Sequence, residues 1–280
     1  MEIKINDKIL DVTLDNENTL GDVLAGLEQW LINSGHRISE IKIDGQAVKA
    51  SMLEDAFSRE VKTIKCIDVY TNVIAELTAA SLLNLLEDIK EYEPLGFEDK
   101  AKFFTNWKNS ATAQFISAEM PDLFAFCGNT FTNGDVSSET LYSITEEILR
   151  EVNEPKTELK NVGPVLNEIC VRLVDLPLDI QTGKDARAAQ TIQLFSAITE
   201  KIFRIFKQLE IQGYLAAEKA GKEKPLTQLV TEFKNVLNDL LEAYEKNDSV
   251  LVGDITEYEA SPKLKELYLA ALEYIQQEDK

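Results

Sequence analysis

Few residues in this chain are suited to acid–base or covalent chemistry, and each stands in an unpromising context. His36 is the only histidine and the one side chain whose ordinary pKa lies near neutrality. It follows Ser34-Gly35, a helix stop, so a surface loop is expected, and no nucleophile stands nearby for a general base to activate. Cys66, in Ile64-Lys65-Cys66-Ile67, and Cys170, beside Ile169, read as small core residues. Cys127 opens Cys-Gly-Asn-Thr-Phe-Thr-Asn-Gly-Asp, a loop by composition, and is the best candidate for an accessible thiol. No adjacent Lys, Arg or His would depress its pKa. No catalytic residue is assigned, and no cofactor.

Carboxylates are abundant, and they are densest between residues 239 and 260. Asp239, Glu242, Glu245, Asp248, Asp254, Glu257 and Glu259 face a single Lys246 there. A hard cation such as magnesium would want this many oxygens, but the alternating aspartates and central glycine of a calcium loop are missing. A solvated acidic face, or a patch for a basic partner, is the better reading. Glu146 and Arg150 form an ordinary i,i+4 helix pair.

The glycines are scattered, with neither GxGxxG nor GxxxxGK[ST] present. Thr182-Gly183-Lys184-Asp185 opens a helix whose N-terminus could hold an anion, although such a segment is usually a plain helix start. Phe103, Phe104 and Trp107 recur at helical spacing, and Phe124, Phe126 and Phe131 flank the 127–135 segment. Core packing is the default for them; the alternative is a hydrophobic anchor for a partner. The residues expected at a partner-binding surface are therefore Asp254, Glu257, Glu259, Phe103 and Trp107. No metal ligands are assigned.

Charge narrows the function classes. With 49 acidic against 29 basic residues, the net charge is −20, which disfavours nucleic acids and anionic membranes as partners. The first residues lack the cationic start and apolar run of a secretory signal. No apolar stretch approaches the ~18 residues of a membrane span. Three separated cysteines without CxxC suit a reducing compartment, so a cytoplasmic location is expected.

The elements that must position these residues divide at residue 72. Ile3 and Ile5, then Ile9, Val12 and Leu14, alternate around the turn Asn6-Asp7-Lys8 and predict a hairpin. A helix follows, capped by Asn18 or Thr19, with Leu20, Val23, Leu24, Leu27, Trp30 and Leu31 at three- and four-residue spacing. Ser34-Gly35 ends it. Ile41 and Ile43 predict a third strand ending at Asp44-Gly45, and Val61, Ile64, Ile67 and Val69 a fourth. This ββαββ order, with its Asp44-Gly45 turn, resembles the β-grasp, or ubiquitin-like, family. Conjugating and sulfur-carrying members of that family end in a free Gly-Gly tail. Here Val69-Tyr70-Thr71-Asn72 runs on into a helix, so the resemblance implies a binding or dimerising module.

From residue 73 the apolar period becomes helical. Stripes through Ile74–Ile89, Glu98–Ala118, Leu141–Val152, Leu159–Leu173, Ala188–Leu209, Leu226–Tyr244 and Ser261–Gln276 predict about seven helices. Gly163-Pro164 should kink or divide the fourth of these. Lys219 to Pro225 reads as a charged connection. Residues 176–185 and 250–259 resemble stretches of helical bacterial proteins with no assigned activity.

The expected architecture is α+β and mostly helical, with a β-grasp-like module at 1–72 and an α-helical bundle at 73–280. The expected function is non-enzymatic protein binding or scaffolding through acidic helical surfaces, with a protein partner or self-association. The alternatives are a magnesium-dependent enzyme using the 239–260 carboxylates and a small-molecule sensor with an apolar cavity in the bundle.

Overall fold

The computed structural model describes residues 1–12, 17–49, 52–215, 225–246 and 248–278. They form two compact units, Met1–Leu149 and Arg150–Lys280. The chain is α+β and mostly helical. No helix among the described residues is long and apolar enough to cross a membrane.

The first unit opens with a mixed five-stranded sheet of order β2-β1-β5-β3-β4. Its strands are β1 (Glu2–Ile5), β2 (Lys8–Ile9), β3 (His36–Ile43), β4 (Gln46–Ala47) and β5 (Cys66–Val73). β1 and β5 are parallel, and the other neighbours are antiparallel. Asn6 and Asp7 both adopt positive φ, as do Asp44 and Gly45, so each hairpin turns on two residues whose local twist matches that of the strands. Asp44 Oδ1 also accepts the N–H groups of Lys65 and Cys66 at 2.9 and 3.0 Å, tying the second turn to β5. These backbone bonds hold its carboxyl below the usual range. Helix α1 (Leu20–Asn33) starts at a complete capping box, Thr19 with Asp22. It buries Leu20, Val23, Leu24, Leu27 and Leu31 together with Ile3, Ile43, Ile67 and Val69. Strand order and pairing are compatible with a β-grasp.

Details of this region differ from expectation. The second strand stops at Ile9, and Leu14 lies outside the described residues. A short helix α2 (Leu53–Phe57) and a 3-10 turn (Val61–Thr63) precede β5, so Val61 and Ile64 lie before the strand. His36 is no loop residue: it starts β3 opposite Val73, half-buried, with Nδ1 3.3 Å from Thr71 Oγ1.

Ten helices follow β5 among the described residues, where the periodicity predicts seven. In the first unit these are α3 (Ile74–Tyr92), α4 (Phe97–Trp107), α5 (Ala111–Glu119), α6 (Pro121–Gly128) and most of α7 (Ser138–Asn153). The expected helix over 98–118 divides because Ser110 caps α5, accepting the Ala113 N–H at 3.1 Å; serine and asparagine side chains compete with helical backbone bonds. The expected loop at 127–135 is instead the end of α6 and a π-helical turn, Asn129–Asn133, closed by Gly134 at φ 68°. Burial of Cys127 and Phe131 overrides the loop-like composition.

The second unit contains the last turn of α7, then α8 (Pro155–Gln181), α9 (Asp185–Ile211), α10 (Leu226–Glu245), α11 (Ser249–Ile255) and α12 (Ser261–Glu278), with a π-helical turn Thr256–Ala260 between the last two. α8 runs unbroken through Gly163-Pro164. The carbonyl that Pro164 deprives of its donor belongs to exposed Lys160, where solvent can satisfy it. The α8–α9 corner explains Thr182-Gly183-Lys184-Asp185. Gly183 takes φ 70°, and the Lys184 and Gly183 N–H groups bond the carbonyls of Asp179 and Ile180, closing a Schellman motif. Buried Asp179 is held by Arg187 and Lys184 at 3.0 and 3.4 Å, so the segment is a helix hairpin clasp. Of the expected connection at 219–225, residues 219–224 lie outside the described residues. Pro225 is the cap of α10.

Glu151, 1% exposed, receives a bidentate Arg204 guanidinium at 2.8 and 2.9 Å. Lys201 reaches Glu158 at 3.1 Å. Two acids therefore enter the core with two bases beside them, as buried charges require.

Candidate functional site

Five of the six aromatic residues singled out in the sequence form a cluster with Tyr92 in the first unit, while Phe126 is exposed and stands outside it. Phe103 packs edge to face on Tyr92 and Phe131, Trp107 edge to face on Phe131, and Tyr92 lies tilted on Phe131, with ring centroids about 5 Å apart. Phe104 and Phe124 lie against the Trp107 indole. Trp107 is 5% exposed, and its Nε1–H donates to Asp88 Oδ2 at 2.8 Å. Phe103 is half-buried within the same cluster. Burial raises the Asp88 carboxyl, while the indole hydrogen bond opposes the shift.

The three thiols offer no reactive centre of the expected kind. Cys127 is fully buried at the end of α6, and burial pushes its thiol up to about 12. A thiol in that state is not a nucleophile near neutral pH. Cys170 lies in the core as expected. Cys66 is only half-buried, on β5, with Sγ 3.6 Å from Asp68 Oδ1; burial and the neighbouring Asp68 raise its pKa.

Of the seven acids of 239–260, five divide between two sides of α11, and Asp248 caps that helix, accepting the Leu251 N–H at 3.0 Å. On one side α10 and α11 border an open cleft of about 290 Å³, lined by Asp239, Glu242, Lys246, Leu251, Ile255 and Glu259. Lys246 is tied to Glu242. Among the described residues, no three His, Cys, Asp or Glu side chains gather as a group that could hold a metal ion. The cleft is open rather than an enclosed apolar cavity of the kind a small-molecule sensor uses.

The other side is set by the packing of α11 and α12 on α8. Three contacts define that seam: Gly163 against Tyr268, Cys170 against Ser261, and Pro177 against Gly253. As the residue number rises on α8 it falls on the partner segment, so the helices run antiparallel. A Cβ on Gly253 would stand 2.9 Å from the Pro177 ring, and one on Gly163 2.5 Å from Tyr268 Oη; both glycines are needed for the close approach.

Helical geometry then places the side chains. At about 100° per residue, Val174, Leu178 and Val171 lie about 60°, 100° and 120° round α8 from Pro177. Val250 and Asp254 lie about 60° and 100° round α11 from Gly253; Glu257 falls in the π-helical turn beyond α11 and stands by Tyr258, as Asp254 does. Equal-sense rotations from the contact line of two antiparallel helices lead to the same side. The opposite rotations lead to buried Leu173 and Leu166 on α8, and to Val252 and Thr256. The first side is open: Val171, Val174, Leu178 and Val250 are 64, 51, 57 and 63% exposed. Asp254 is exposed and Glu257 half-buried, and neither takes part in an ion pair among the described residues. Exposed Tyr258 stands beside them, its hydroxyl pKa raised by Glu257 and Asp254. On the far rim of α8, Glu168 pairs with Arg172 and Asp175 with Arg187.

Of the five residues expected at a partner surface, the structure therefore brings Asp254 and Glu257 to one open face. It places Glu259 on the cleft, and Phe103 and Trp107 in the aromatic cluster of the other unit. The four aliphatics of the open face were missed. Their signal lies in the sequence: besides its core stripe, α8 carries Val171, Val174 and Leu178 at three- and four-residue spacing, more apolar surface than one packed side requires.

Residues 1–72 match the family model described as the TP0873 N-terminal domain. Residues 157–270 match a domain of unknown function, DUF8042. An uncharacterized protein of Treponema pallidum (strain Nichols) is 24% identical over 267 residues, covering 95% of this chain and 94% of that protein. No solved structure matches the chain.

Proposed function

We propose that this chain is a non-enzymatic protein-binding protein whose helical second unit engages a partner across the face formed by α8 and α11. The observation that carries this reading is the set of four exposed aliphatics, Val171, Val174, Leu178 and Val250, gathered beside Asp254 and Glu257. Single exposed apolar residues are common on any surface, whereas a contiguous apolar patch with a polar rim marks an interaction site. Two comparable helical faces separate binding from carboxylate catalysis. Asp239, Glu242 and Glu259 lie on the cleft and Asp254 and Glu257 on the open face instead of converging, and Glu242 is paired with Lys246. Residues 1–72 are read as a β-grasp-like module that serves binding or dimerisation, supported by the strand order β2-β1-β5-β3-β4.

A photo-crosslinking amino acid placed at Val171, at Val174 and, as a control, at exposed Leu83 on α3 tests the face in cells that make the protein. The same crosslinked species should form from both α8 positions and not from Leu83, and it should weaken when Asp254→Lys is added. Equal labelling from all three positions, or none from α8, would defeat the reading.

A further inference from the structure

The face also constrains what covers it. We infer that its occupant is a cationic amphipathic helix of another protein, laid in the groove beside the α8–α11 seam; this rests on the protein-binding reading above. Two antiparallel helices leave a groove along their contact line, and a third helix packs there by inserting a ridge of side chains. From Val171 to Leu178 the aliphatic side of the groove is about 11 Å long, enough for roughly two helical turns.

Charge decides between occupants. Asp254 and Glu257 border the aliphatics on the α11 side, without ion-pair partners among the described residues. Glu168 and Asp175 border them on α8, already matched by Arg172 and Arg187. Lysines or arginines flanking the apolar stripe of an incoming helix would meet the unmatched pair. A second copy of this chain presents the same acids, so a two-fold contact through this face would bring like charges together. An anionic lipid surface is disfavoured for the same reason, and the net charge of −20 adds to it. The exposed apolar area is that of only a few side chains, so charge should contribute much of the affinity and make it salt-sensitive.

The test uses the full chain and two dye-labelled model helices of about 16 residues. Both carry leucine at i, i+3, i+4 and i+7; one carries lysine and the other glutamate at the remaining positions. Fluorescence anisotropy at physiological salt should show the lysine peptide binding at least tenfold more tightly than the glutamate peptide. Val174→Asp should weaken the lysine peptide tenfold or more, and the pair Asp254→Asn, Glu257→Gln several-fold. The same charge change at Glu28 and Glu139, exposed acids on α1 and α7, should leave affinity within twofold. If circular dichroism showed V174D to have lost helix, Val171→Ser with Val174→Ser would serve in its place.

Three results would overturn the inference: glutamate peptide bound as well as lysine peptide, equal weakening from the Glu28 and Glu139 control, or a dimer by light scattering that V174D dissolves. Failure of the lysine peptide while the Val171 and Val174 crosslinks persist would remove the cationic partner and leave the face. Failure of both would remove the face as well.

Discussion

Two regions carry the features that mark partner surfaces, and they use them in opposite ways. In the first unit, Phe103, Phe104 and Trp107 turn inward and close on Tyr92, Phe124 and Phe131; the one polar atom of Trp107 is satisfied by Asp88. In the second, the aliphatics of α8 and α11 stay outside, next to carboxylates that have no ion-pair partner among the described residues. Large aromatics at i and i+4 bury so much area that they become core wherever neighbouring helices can cover them. Valines and leucines in a second stripe remain exposed when the helix has already spent its other side on packing. Residue type alone therefore does not tell a buried aromatic from an exposed one, and helix face separates the buried from the exposed aliphatics.

The sharpest way to break that contrast is Trp107→Ala. Removing an indole from the centre of six rings should cost about 3–5 kcal/mol in the first unit. Urea denaturation followed by the fluorescence of Trp30, then the remaining tryptophan, would read it. Affinity of the second unit for the lysine peptide should not change. A binding defect in W107A as large as that of V174D would mean that the aromatic cluster is itself part of the recognition surface.

Gly253→Ala probes the other region. An added methyl normally favours a helix by roughly 1 kcal/mol, but here it would press on the Pro177 ring from 2.9 Å. Overpacking of this kind costs about 1–3 kcal/mol, so a net loss of about 1 kcal/mol is expected. Peptide affinity should fall with it, because the seam that sets the groove widens. A stabilised G253A would show that α11 does not lie against Pro177 as described.

Much of the fold was legible because local chemistry and global packing agree. Thr19, Asp44-Gly45 and Ser34-Gly35 all mark element boundaries by mechanisms that act over a few residues, whereas Ser261, expected to open the last helix, lies in helical conformation in a run continuous with the π-helical turn. Where expectation failed, a non-local contact won. Cys127 to Asn133 looks like a loop until Phe131 is seen to complete the aromatic core. Gly163-Pro164 looks like a break until Tyr268 is seen to need the missing Cβ. α11 escaped notice because its seven residues are too short to show a period. Of the candidate site, Asp254 and Glu257 were found by acid density. Which face they share depends on the register of α11 against α8, and no spacing within either segment encodes that.

A smaller effect tests how far the sheet end of the first unit depends on its cap. Thr19→Ala removes the Oγ1 that accepts the Asp22 N–H, and with it half of the reciprocal box in which Asp22 Oδ2 accepts the Thr19 N–H at 2.9 Å. The loss should be about 1 kcal/mol by urea denaturation, against several for W107A. Peptide binding should again be unaffected.

The smallest effect concerns the one carboxylate inside the aromatic region. Burial raises the Asp88 pKa in the folded state, and the Trp107 hydrogen bond only partly offsets this. Above its unfolded pKa of about 3.9, the folded chain therefore holds this proton more tightly than the unfolded chain does. Stability contributed by the site falls as pH rises through the window above that value, and stays lower once the folded carboxyl has ionised. Asp88→Asn cannot ionise, and its Oδ1 can still accept the indole N–H. The variant should be slightly more stable than the parent at neutral pH, with the difference shrinking as pH falls below the carboxylate range. Melting temperatures of the two proteins across that range would read it. If D88N were instead less stable at pH 7, the indole would be holding Asp88 as a favoured anion, and the cluster would be a charged site rather than a closed core.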